Sequence, residues 1–76
     1  MEQLIVQIQG NQLRAESRAD TQEDNFAGIC GKYDVFFPDG MVWTLVHFDT
    51  RNGGGYAMTF KGIRFDFPDD QVMIMK

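Results

Sequence analysis

Cysteine occurs once, proline twice and basic residues seven times in these 76 positions, and each shortage removes a class of answer. With Cys30 as the sole thiol, no disulfide forms within one chain. A tetrahedral zinc site would have to be built from Cys30, His47 and carboxylates alone, a poor donor set. A single domain of this length buries only about 60% of its unfolded surface and is marginally stable. With disulfide and metal set aside, self-association is the remaining means of support.

Long apolar runs are also missing. None approaches the roughly 20 residues that cross a bilayer, and Met1-Glu2-Gln3-Leu4 does not open a basic-then-apolar leader. One free thiol suits a reducing compartment. The expectation is a cytoplasmic protein with no membrane contact. Positive charge is scarce too: seven basic residues face eleven acidic ones, net −4. Arg14, Arg18, Lys32, Arg51, Lys61, Arg64 and Lys76 are scattered, which disfavours direct binding to nucleic-acid phosphates. The balance favours a protein partner of basic character.

What the chain has is alternation broken by turn residues. In Tyr56–Phe67, a two-residue turn at Lys61-Gly62 sets Phe60 opposite Ile63, Met58 opposite Phe65 and Tyr56 opposite Phe67. All six then share one face, and Ala57, Thr59, Arg64 and Asp66 take the other. A one-residue slip would destroy this sorting. In "LIVQIQGNQLRAES" a turn at Gly10-Asn11 sets Ile8 opposite Leu13, Val6 opposite Ala15 and Leu4 opposite Ser17. In "KYDVFFPDGMVWTLVHF" the Pro38-Asp39-Gly40 turn sets Phe37 opposite Met41, Val35 opposite Trp43 and Tyr33 opposite Leu45. Its far face is apolar as well, with Phe36, Val42, Val46 and Phe48, so the strand Met41–Phe48 reads as central and covered from two sides. A last strand, "QVMIMK", follows the "FPDDQ" turn.

These hairpins predict one domain over residues 1–76: an all-β antiparallel meander of about six strands, forming a small barrel or sandwich. Thr21 with Asp24 three positions on suggests one short helical turn near residues 21–28. The rival is an α+β, β-grasp-like arrangement, which needs a full helix after the first hairpin. Gly28 and Gly31 make that helix poor.

No catalytic, cofactor-binding or metal-ligating set emerges. Cys30 and His47 are the only candidate nucleophile and base, and the expected register sets Cys30 opposite Phe48, with His47 on the other face. Asp66, Asp69 and Asp70 have the close spacing that a hard cation likes, but they lack the calcium-loop pattern and read more simply as solvated turn carboxylates. "RNGGG" lacks the Lys-Ser/Thr and helix of a phosphate loop and reads as a loop tip. As loop tips carry contacts, Arg51 and Asn52 are candidate partner-binding residues. Asp20, Glu23, Asp24, Asp34 and Asp39, against Lys32 alone, give that segment net −4 and are the other candidates.

Two functional classes follow. The first is a non-catalytic protein–protein interaction module that self-associates as a homo-oligomer, on the strength of the two-sided apolar strand. The second is an acidic inhibitor of the phage or mobile-element type. Its carboxylates would occupy the basic surface of a nucleic-acid-handling protein in place of phosphates.

Overall fold

The computed structural model describes residues 3–18 and 28–75. Seven strands form a single antiparallel sheet: β1 (Gln3–Ile8), β2 (Asn11–Ser17), β3 (Ile29–Phe36), β4 (Val42–Phe48), β5 (Tyr56–Phe60), β6 (Ile63–Phe67) and β7 (Val72–Met75). Their order is β6-β5-β4-β3-β2-β1-β7. Six strands run as a meander, and the seventh crosses back to pair with the first. One strand more than expected is present, and the all-β antiparallel class holds. The β-grasp alternative is not adopted, because β2 and β3 are hydrogen-bonded neighbours with no crossover between them. The sheet is neither a closed barrel nor a sandwich but a curled half-barrel. The helical turn expected near residues 21–28 lies outside the described residues, save Gly28.

Two hairpins match their expected registers. Phe60↔Ile63, Met58↔Phe65 and Tyr56↔Phe67 pair across β5 and β6. Val35↔Trp43 and Tyr33↔Leu45 pair across β3 and β4. At the tip of the latter, the Asp39 side chain accepts the Met41 amide at 2.9 Å. The first hairpin differs by one turn position. Val6 pairs with Leu13 and Leu4 with Ala15, so Gln9-Gly10 rather than Gly10-Asn11 makes the turn. Gln9 and Gly10 both have positive φ, 50° and 87°, the type I′ pattern whose twist matches the strands. The displacement moves each pair by two residues, so every side chain keeps its expected face. A second correction falls on Cys30. A bulge between Ile29 and Gly31 gives Ile29, not Cys30, to Phe48, and leaves Cys30 exposed.

Alternation sends Leu4, Val6, Ile8, Ala15, Val35, Leu45, Tyr56, Met58 and Val72 into the concave core. Val6, Val35 and Leu45 are fully buried, each contributing roughly 1.5–3 kcal/mol. Among the described residues no second layer covers the convex face. Val42 stays 42% exposed there. Cationic side chains shield its rings instead: the Arg14 guanidinium lies 4.2 Å from the Phe36 ring centre, and that of Arg64 lies 5.8 Å from Phe48. The two-sided cover expected for β4 is therefore a core on one side and arginine stems on the other.

The segment from Pro68 to Gln71, with a 3-10 turn at Asp69–Gln71, ties the half-barrel together. The Gln9 amide donates to the Gln71 carbonyl at 3.1 Å. The Asp69 carboxylate accepts the Gly55 amide at 3.1 Å. A Cβ at Gly55 would come within 3.0 Å of the Phe67 carbonyl, and its φ is +86°.

Leu45→Ala should cost about 2–5 kcal/mol in urea denaturation, most of the stability of so small a domain. Gly55→Ala should cost more than Gly10→Ala, because Gly10 shares the positive φ (about 1–2 kcal/mol) but has open space around it.

Candidate functional site

The tips of three hairpins, at 9–10, 38–40 and 61–62, gather at one end of the curled sheet, because antiparallel strands reverse direction at each turn. Below them lies an open trough of about 770 Å³. Ile8, Leu13, Phe37, Met41, Trp43, Met58, Phe65 and Phe67 line it, and Gln9, Asn11, Gln12 and Asp39 form a polar rim.

Trp43 is its centre. Its ring stacks on Phe60 at 5.1 Å, meets Phe65 at 5.9 Å and takes the edge of Phe37 at 6.0 Å. These contacts join β4, β5 and β6 to Phe37, the residue that follows β3, so the aromatic floor is held mainly by the sheet. The floor is not fully covered. Phe65 is 53% exposed and Ile63 is 52% exposed, both on edge strand β6. The sequence assigned these side chains to the inward face correctly. Alternation reports direction, however, and among the described residues no strand lies beyond β6 to cover that face.

At the other end, His47 stacks on Tyr56 with ring centres 4.1 Å apart and planes 8° apart. Its Nε2 lies 3.4 Å from Asp69 Oδ1. Burial pushes the Tyr56 phenol above its ordinary value; Tyr33, Asp69 and Cys30 add to the shift through their negative charge when ionised. Residues 47, 56 and 69 come together only through the strand registers, and nothing in their sequence spacing announces it. Among the described residues no group of three His, Cys, Asp or Glu could hold a metal ion.

The sequence-predicted partner residues do not converge. Asp39 stands on the trough rim. Arg51 lies at the opposite end, its side chain 89% exposed and paired with Asp49 at 3.3 Å. Asn52 closes the same 3-10 turn, Thr50–Asn52. Asp34 is on the convex face, 3.9 Å from Arg18. Asp20, Glu23 and Asp24 lie outside the described residues. Asp66, in β6, pairs with Arg64 at 2.8 Å, while Asp69, in the 3-10 turn, accepts the Gly55 amide, so these two carboxylates are held by different partners.

A shallower cavity of about 270 Å³ lies beside the glycine loop, between Phe48, Gly54, Arg64 and Asp66. Among the described residues no helix is long and apolar enough to cross a membrane. No protein family, curated protein or solved structure matches the chain.

Because the folded state holds the Tyr56 proton more tightly, its contribution is complete below about pH 10 and fades as pH rises through the folded value. The melting temperature should fall more steeply above pH 10 in the parent protein than in Tyr56→Phe; equal slopes would contradict this.

Proposed function

We propose that this chain is a small non-catalytic protein–protein interaction module that self-associates. One observation carries the reading: Ile63 and Phe65, each more than half exposed, continue the apolar floor of Trp43, Phe37 and Met58 out to a sheet edge that no other strand among the described residues pairs with. Exposed apolar surface next to free backbone groups is what a docking strand or a second copy covers. The cover gains the burial energy of two large side chains per copy together with edge hydrogen bonds. The trough has a rigid aromatic floor, which lowers the ordering cost of binding.

The carboxylate excess, net −4, favours an additional partner with positive charge near the Asp39 rim. The inhibitor reading rests on that charge alone. Among the described residues Glu16, Asp34, Asp49 and Asp66 each lie against an arginine, which spends their charge locally.

Light scattering over a series from about 10 µM to 1 mM should show the weight-average mass rise from 8.7 kDa towards twice that value. Phe65→Ser should hold it at the monomer mass across the series. A parent chain that stays monomeric at the highest concentration contradicts the proposal.

A further inference from the structure

The β6 strand, Ile63-Arg64-Phe65-Asp66-Phe67, is complementary to itself when run backwards. The geometry points to a twofold-symmetric dimer in which β6 of one copy pairs antiparallel with β6 of a second copy, centred on Phe65. This rests on the self-association proposed above and adds the surface and the register.

Three features of the strand lead to it. The first is backbone bookkeeping. The type I′ turn at Lys61-Gly62 makes Phe60 and Ile63 a hydrogen-bonded pair. By alternation, Ile63, Phe65 and Phe67 direct their amide and carbonyl groups to β5. Arg64 and Asp66 therefore direct theirs to the free edge. Centring on Phe65 sets Arg64 opposite Asp66 of the partner subunit, and Asp66 opposite the partner's Arg64. Both are hydrogen-bonded pairs, so every outward group near the axis finds a mate.

The second is charge. On the convex face this register brings opposite charges face to face twice. Moving the axis to Arg64 or to Asp66 would oppose like charges, which is unfavourable. The Arg64–Asp66 pair within the strand, at 2.8 Å, is exchanged for two pairs across the axis. Its net effect is therefore to select the register more than to add affinity.

The third is apolar cover. On the concave face, Phe65 meets its own symmetry mate and Ile63 meets Phe67 of the partner subunit. The two most exposed inward side chains of β6 are thereby covered, and the second copy closes the rim of each trough. The other edge, β7, offers less on the inward face: Val72 is already buried within its own chain, and its exposed Met73 projects from the opposite face. Pairing β6 with β7 of another copy would leave edges open and propagate, whereas β6 with β6 closes on itself. A five-residue edge is at the small end of specific interfaces, so dissociation in about the micromolar range is expected.

Two sets of variants test this. Arg64→Asp alone and Asp66→Arg alone should each raise the dimer dissociation constant about tenfold, because each places like charges opposite at two symmetric sites. The double reversal should restore it to within about threefold of the parent. Circular dichroism and Trp43 emission establish that each variant is folded. In a Cys30→Ala background, single cysteines at 63, 64, 65, 66 and 67 are then oxidised at about 1 mM protein. Only position 65 opposes itself, at a Cα separation of about 4.5 Å within disulfide reach, so Phe65→Cys should give the covalent dimer in highest yield. Cross-linking that peaks elsewhere, or single reversals without effect on a parent that does dimerise, would overturn the register and leave self-association standing. A parent chain monomeric at 1 mM would overturn both.

Discussion

Four residues, Pro68 to Gln71, connect the two outermost strands of a seven-stranded sheet. In a flat sheet, six strand spacings of about 4.8 Å would put those strands about 29 Å apart. The chain from Phe67 to Val72 reaches at most about 18 Å. The sheet must therefore curl until its edges approach. Curling is also the one way for a single sheet without a second layer to remove a face from water. The short connection and the buried concave core are thus two aspects of one constraint.

The number of strands decides what the curl cannot do. Seven antiparallel strands leave β6 and β7 running in the same direction, so the edges are not related as a hairpin. The half-barrel is tied by side chains and turns instead: Asp69 on Gly55, and Gln71 on Gln9. Beyond that tie, among the described residues, β6 keeps a bare edge and an inward face that is half in water. The trough under Trp43 and the exposure of Phe65 are consequences of incomplete closure, not additions to the fold.

The sequence carried the local part of this. Turn chemistry and alternation are enough for the full β5–β6 register and for the β3–β4 register up to the bulge at Cys30, because Lys61-Gly62 and Pro38-Asp39-Gly40 each sit between unambiguous runs. At the first hairpin the tip lies one place earlier than Gly10-Asn11 suggests, since the positive φ of Gln9 is unusual outside glycine. Parity rescued the faces. Long-range partners were less legible. Pairing of β7 with β1 depends on edges meeting around the curl, and the His47, Tyr56 and Asp69 cluster depends on three registers at once. Charge was the weakest guide. Arg51 reads as a loop-tip cation, yet it is spent on Asp49 at the end away from the trough. Alternation puts Tyr56, Phe60, Phe65 and Phe67 on the inward face, but which of them remain open depends on the absence, among the described residues, of a neighbour beyond β6.

Amide hydrogen exchange at high dilution tests the curled sheet and its bare edge most directly. The account predicts slow exchange at Val6, Val35 and Leu45, with alternation along β6: Ile63 and Phe65 protected by β5, Arg64 and Asp66 exchanging as freely as loop amides. Protection of Arg64 and Asp66 in the dilute monomer would mean that β6 has a neighbour within its own chain, and would contradict the half-barrel on which the rest is built.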